Sequence, residues 1–224
     1  MKTLLKNNKP FYLLYMAFAL IGLAIVLLTD KFELHSSFNS LVGFKLSDEF
    51  FKYITYLGDG LFLIAIAVIL FFFNLKNALF LLVSYGLSGG FTQFLKSVFF
   101  DDVNRPFFYS SYSGLKLKVV EGVEMFIHNS FPSGHSTSAF CLFFCLSYMV
   151  KPVWAKVLLF VIGILTAFSR VYLSQHFFED IYVGSIIGVT FSSLAAWLFY
   201  VSPLSTRLIK TDQPIQLIFS KSNG

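Results

Sequence analysis

Six residues between positions 96 and 180 of this chain could together move a phosphoryl group. Lys96, Arg105 and Arg170 are cations able to hold phosphate oxygens. His135 and His176 offer one imidazole to attack phosphorus and another to protonate the departing oxygen. Asp180 stands four residues after His176, the spacing that puts both side chains on one face of a helix. There Asp180 can accept the Nδ1 proton of His176, fix its tautomer and leave Nε2 free as nucleophile. Read alone, the pair could equally be a structural bridge; the other cations and His135 favour chemistry. Ser133 and Gly134, just before His135 and after Pro132, read as the cap and first residue of a helix. Free amides at such a helix start bind phosphate oxygens. Fixed cations in a partly dry site stabilise the charge spread over the equatorial oxygens of a five-coordinate phosphorus. No carboxylate cluster suited to Mg²⁺ is evident, so the chemistry is expected to be metal-independent, with no cofactor.

These residues must be positioned by membrane elements. Of 224 residues, 56% are hydrophobic and 13% charged, against about 25% charged in soluble domains. No Asp, Glu, Lys or Arg occurs in Pro10–Thr29, Gly60–Asn74, Asn77–Leu95, Met125–Val150, Val157–Ser169 or Ile181–Thr206. A spanning helix needs roughly 20 mostly apolar residues. Continuous rather than alternating apolar runs favour helices over a barrel. The expectation is an all-α polytopic protein with six transmembrane helices in one bundle. The spans are placed at about 11–29, 57–74, 78–98, 134–150, 155–173 and 181–201 of a single domain covering 1–224. The first run follows Lys2, Lys6 and Lys9 and is too long for a signal peptide, so it is read as a retained span.

An even span count puts both termini on one side. That side carries nine Lys/Arg; the other carries five once Lys96, Arg105 and Arg170 are set aside. The excess predicts cytoplasmic termini. All the chemical residues then lie at the opposite, non-cytoplasmic face. The net charge of +5 reflects this topology, and no basic stripe suggests nucleic acid.

Several further features have structural readings. Ser47-Asp48-Glu49 reads as a helix start, and Leu46, Phe50, Ile54 and Leu57 recur at helical spacing. This predicts an amphipathic helix, lying in the interface or packed on the protein, that feeds the second span. Asp59 either caps that span or contacts the site arginines. Pro152 ends the fourth span. Gly86, Gly89 and Gly90 are expected to permit close helix contact. Cys141 and Cys145 read as packing residues rather than a metal pair, and residues 207–224 as a polar tail. His35 and His128 are taken as structural or exposed.

The blocks Lys96…Arg105-Pro106, Pro132-Ser133-Gly134-His135 and Ser169-Arg170…His176…Asp180 resemble the type 2 phosphatidic acid phosphatase (PAP2) family, whose pattern is K-x6-RP, PSGH and SR-x5-H-x3-D. The second and third blocks match residue for residue. The first has eight rather than six residues between Lys96 and Arg105, an excess that a longer turn across Phe99–Asn104 would absorb. The resemblance implies a six-helix membrane enzyme that hydrolyses a lipid phosphomonoester or diphosphate through a phosphohistidine. In this assignment His176 attacks, Asp180 orients it and His135 is the acid, while Lys96, Arg105, Ser133, Gly134 and Arg170 hold phosphate. Undecaprenyl diphosphate, phosphatidylglycerol phosphate, phosphatidate and lipid A phosphates all present that group. The implied setting is a bacterial inner membrane, with the bilayer and a lipid phosphate as partners and no obligatory protein partner. A lipid phosphotransferase on the same fold is the nearest rival. A non-catalytic lipid-binding or transport protein is the alternative of another class.

Overall fold

The computed structural model describes residues 2–112, 116–203 and 205, so the polar tail lies outside the described residues. Those residues form ten α-helices and one 3-10 turn, with no strand among them. In order they are α1 Lys2–Asn7, α2 Lys9–Leu28, α3 Lys31–Asn39, α4 Lys45–Ile54, the 3-10 turn Thr55–Gly58, α5 Gly60–Phe73, α6 Leu75–Val98, α7 Pro106–Tyr112, α8 Gly134–Met149, α9 Val153–Tyr172 and α10 Phe178–Tyr200.

Four helices are long and apolar enough to cross a membrane: α2, α6, α9 and α10. They coincide with the expected first, third, fifth and sixth spans. The expected second span is different. Its apolar run is α5, bent by 57° from the preceding Lys45–Gly58 segment, and the pair together would make a fifth crossing. The break falls at Asp59, whose extended backbone ends the 3-10 turn and whose carboxylate caps α5 by accepting the Leu61 N–H at 2.8 Å. α4 is the expected amphipathic helix, but it starts at Lys45, not Ser47. Ser47 lies inside its first turn and its hydroxyl donates to the Phe44 carbonyl.

The expected fourth span is α8. Its 16 residues extend about 24 Å, short of the roughly 30 Å hydrocarbon layer. The Ser133 hydroxyl caps one end by accepting the Ser136 N–H, and Pro152 lies just beyond the other. α8 is the centre of the assembly, packed by α6, α9 and α10, and eleven of its residues are buried. Its surroundings are therefore protein more than lipid, which is why it tolerates Ser, Thr and Cys along its length. Cys141 and Cys145 are both free thiols in that core.

Close helix approach occurs elsewhere than expected. A Cβ added at Gly86 or Gly90 would meet nothing within 4 Å, and one at Gly89 would meet only Tyr85 of its own helix. The tight crossing is α10 on α8. A Cβ at Gly184 would lie 2.6 Å from the Ser133 carbonyl oxygen, and one at Gly188 2.6 Å from that of Thr137. This pair, four apart on α10, lets backbone meet backbone. Edge-on rings hold α2 to the centre, with Phe11 5.4 Å from Phe144 and 5.2 Å from Phe160. Such pairs contribute about 0.5–1.5 kcal/mol each beyond buried area.

Because α8 and α10 start, and α6 and α9 finish, at the same end of the bundle, the chemical residues on all four collect there. α3, α4 and the segment 116–131 cover that end.

Candidate active site

The turn between α9 and α10 builds the centre. Arg170 is in the last turn of α9, and its carbonyl accepts both the Gln175 and the His176 N–H, at 2.9 and 3.1 Å. Ser174, at φ +52°, reverses the chain between them. Its hydroxyl is 3.2 Å from the His35 Nε2 and accepts from Asn39 Nδ2 at 3.2 Å, so α3 braces the turn. His35 is thus the structural residue expected, buried beneath the cap. His128, the other, pairs through Nδ1 with Asn104 Oδ1 at 2.7 Å.

His176 and Asp180 meet, with Nδ1 3.2 Å from Asp180 Oδ2, but not on one helical face as expected: His176 lies in the turn before α10, and Asp180 reaches back to it from the first turn of that helix. That one oxygen also accepts the Phe177 N–H at 2.9 Å and the Ser130 hydroxyl at 2.5 Å. Oδ1 is buried without a partner among the described residues. Asp180 is the third residue of α10, reaching back to the N–H of the residue before the helix as in a capping box. The same contacts that start the helix therefore aim the carboxylate at the imidazole. With Nδ1 directed at Asp180, Nε2 is the nitrogen left to attack. Burial, then the charges of Arg105, Arg170 and Lys96, hold the His176 pKa well below the usual histidine value. That direction favours the neutral imidazole, the form able to act as a nucleophile.

The first block converges despite its spacing. A turn at Asp101-Asp102 takes up the additional residues. Lys96 Nζ donates to the Asn129 carbonyl at 2.8 Å, and Arg105 Nη2 donates to the same oxygen at 3.3 Å. Arg105 Nε donates to the His128 carbonyl at 2.8 Å, and Nη1 to the Gln175 carbonyl at 3.2 Å. Arg105 thus ties the 128–129 segment to the turn between α9 and α10 as well as bringing charge there. Arg170 is less occupied. Its Nη1 donates to Thr55 Oγ1 at 2.9 Å, while its buried Nε has no partner among the described residues.

His135, second residue of α8, borders two clefts. One, ≈ 470 Å³, is lined also by Arg170, Asp59, Lys52 and Gln175. The other, ≈ 240 Å³, is lined by Lys96, Gly134 and Thr92. Cationic side chains therefore line clefts on both sides of this imidazole. Of the two alternatives read from the sequence, the cap holds; Asp59 lines the same cleft as Arg170 but forms no ion pair with it among the described residues. Ser133 and Gly134 stand at the start of α8, with the Ser133 N–H bonded to the Asp180 carbonyl at 3.0 Å. This joins the beginnings of α8 and α10. Among the described residues no three His, Cys, Asp or Glu side chains are grouped to hold a metal ion.

Three contacts were not singled out from the sequence: Ser130 on Asp180, Gln175 on Arg105 and Thr55 on Arg170. Ser130 and Gln175 carried a positional hint, each within two residues of a motif block. Thr55 carried none, since its partner is 115 positions away.

The sequence pattern of the PAP2 superfamily matches residues 77–203, more than half of the chain. This chain belongs to the PAP2 superfamily. It is 31% identical over 72 residues to a lipid A 1-phosphatase of Porphyromonas gingivalis, covering 31% of this chain and 16% of that relative. It is 28% identical over 86 residues to a lipid A 4'-phosphatase of Bacteroides thetaiotaomicron, covering 38% and 36%. The chain thus spans well under half the length of either relative. Among solved structures it is similar to Aquifex aeolicus LpxE, with TM-score 0.63 and 27% identity over 74% of this chain and 93% of that one. It also shares the fold of a PAP2-type phosphatidylglycerolphosphate phosphatase from Bacillus subtilis, with TM-score 0.61 and 24% identity over 86% and 98%.

Proposed function

We propose that this chain is a membrane-embedded phosphatase that removes phosphate from a lipid through a phosphohistidine on His176. The observation that carries this is the buried His176–Asp180 pair, held by Ser130 and facing three cations, with His135 at the mouth of both clefts. Nε2 of His176 attacks phosphorus as the bond from phosphorus to the lipid oxygen breaks, and His135 supplies that oxygen with a proton. Water then attacks the phosphohistidine, giving its proton to His135, and inorganic phosphate leaves as the P–N bond breaks. Arg105, Arg170, Lys96 and the α8 start at Ser133-Gly134 hold the phosphoryl oxygens, in place of a metal ion.

The bundle is read as six crossings: α2, the α4–α5 pair, α6, α8, α9 and α10. The termini are cytoplasmic and the site opens to the periplasmic face of a bacterial inner membrane, as the cation count supports. Of the lipids that carry a suitable phosphate, lipid A is favoured by the two lipid A phosphatases among the relatives.

The test uses purified protein and a panel of ³²P-labelled lipid A, phosphatidylglycerol phosphate, phosphatidate and undecaprenyl diphosphate. Lipid A is expected to release phosphate fastest, with activity retained in excess EDTA. Acid quenching should trap an acid-labile protein adduct that His176→Ala lacks. Near wild-type turnover by His176→Ala would overturn the mechanism. A strict Mg²⁺ requirement would overturn the metal-free part.

A further inference from the structure

A second cleft lies at the opposite end of the bundle from His135 and His176. It measures ≈ 550 Å³ and is bordered by Lys6, Lys151, Lys156, Asn7, Tyr148 and Tyr200, with no carboxylate in its lining. Its distance from the chemistry follows from α8, which has His135 in its first turn and Met149 at the cleft. That separates the two by about 20 Å. The cleft therefore has no part in the phosphoryl transfer proposed above.

Its cations differ in setting. Lys156 is buried, and its ammonium donates to the Asn7 carbonyl at 2.5 Å and to Asn8 Oδ1 at 3.4 Å. Asn8 Oδ1 also accepts from Ser147 at 2.7 Å, so α1, α8 and α9 meet on this one network. Lys6 and Lys151 are exposed at the rim, with no carboxylate partner among the described residues. A fourth cation, Lys76, lies 4.8 Å from the centre of the Tyr200 ring. α9 begins at the cleft without a side-chain cap, so its first amides add donors there. Tyr148 and Tyr200, their rings 5.0 Å apart, form an aromatic wall. Exposed Trp154 stands at the same helix start, as interfacial anchors do.

We infer that this cleft is a binding site for a phosphate-bearing anion. It joins one desolvated ammonium, two exposed rim ammoniums and a helix start, and no carboxylate among the described residues lines the cleft to oppose them. At the end of a membrane bundle the fitting ligand is an anionic phospholipid, its phosphodiester among the lysines and its glycerol against the tyrosines. Free phosphate has the same chemistry and is the other source. Lys151, just beyond α8, and Lys76, over the Tyr200 ring at the end of α10, also favour those helix C-termini, so the test must separate ligand binding from helix capping.

Full-length protein in detergent is titrated with short-chain phosphatidylglycerol, phosphatidylcholine or inorganic phosphate. Bound ligand is counted by native mass spectrometry and stability by thermal melting. Phosphatidylglycerol, a phosphodiester, is expected to remain bound in preference to phosphatidylcholine on both wild type and His176→Ala. The double variant Lys6→Gln/Lys151→Gln, which leaves buried Lys156 in place, should weaken retention at least about tenfold, since each lysine near an anionic lipid strengthens binding several-fold. Stabilisation by inorganic phosphate without lipid retention would support the anion site and overturn the lipid as its source. Equal retention by wild type and the double variant, or no preference for phosphatidylglycerol, would overturn the inference. Lower melting of the double variant without any change in ligand retention would assign the lysines to helix capping and overturn it too.

Discussion

Replacing Arg170 should separate activity from stability. The guanidinium is buried, has one hydrogen bond, to Thr55, and meets no carboxylate at ion-pair distance among the described residues. Its Nε lacks a partner among the described residues. A buried donor left unmade costs about 1–3 kcal/mol, and losing the Thr55 bond costs about 1 kcal/mol. Arg170→Met keeps the apolar stem and removes the unpaired charge, so folding stability should be unchanged or rise by up to about 2 kcal/mol. Catalysis should move the other way. Contacts that strengthen as charge develops on phosphorus are worth about 2–4 kcal/mol, or roughly 30- to 1000-fold in kcat/KM. The assay is phosphate release across lipid concentrations, with orthovanadate inhibition and thermal melting on the same preparations. Vanadate inhibition should weaken in step with kcat/KM while melting holds. A variant that melts well below wild type yet remains fully sensitive to vanadate would refute the reasoning and make Arg170 a structural brace.

Four other perturbations probe the rest of the site. Ser130→Ala removes the shortest contact to Asp180 and should lower kcat about tenfold with little change in KM, since a hydrogen bond to a charged group contributes about 1.5–3 kcal/mol; unchanged kcat would leave Asp180 held by its other donors alone. Lys96→Ala should reduce kcat/KM and Lys96→Arg restore part of it, whereas an alanine variant within about threefold of wild type would leave Lys96 only its Asn129 contact. His35 is pushed down to about 4 by burial, so it stays neutral in the fold at pH values where the unfolded chain takes up a proton. Its contribution is then intact above pH 6.5 and lost as pH falls from 6.5 towards 4, by about 3 kcal/mol; acid melting of His35→Gln should be correspondingly less steep, and equal steepness would disprove the assignment. A single cysteine introduced at Lys116 should react with an impermeant maleimide in spheroplasts while one at Asn77 should not, and the reverse pattern would turn the site to the cytoplasm.

The sequence was most informative where the physics is local. His176 and Asp180 are four positions apart across the start of α10, and Ser133 caps α8 with its own side chain, so three or four positions of spacing are enough to bring these groups together. The apolar runs likewise marked α2, α6, α9 and α10, because lipid-facing helices must be apolar along most of their length. The ends of the second run were misplaced because Asp59 breaks the segment by capping a new helix, and a hydropathy run does not register a bend. The tight crossing was assigned to Gly86, Gly89 and Gly90 because three glycines in one span look like a contact face. The true contact at Gly184 and Gly188 depends on which face of α10 meets α8, which is set by the whole bundle. Ser130, Gln175 and Thr55 were passed over for a related reason: their partners come from other elements.

The Gly184–Gly188 crossing has a consequence for how such a site can diversify. Backbone contact there, with the Ser133 amide on the Asp180 carbonyl, fuses the starts of α8 and α10 into one block that carries His135 at one edge and Asp180 at the other. Even a methyl group at either glycine would push against backbone that cannot yield. The spacing of His135 from Asp180 is therefore a property of the chassis, insulated from changes at the rim. Substrate preference can drift through α3, α4 and the segment 116–131, elements that drape over the block without being threaded through it. New headgroups can be accommodated by resculpting that cover while the reaction beneath stays the same.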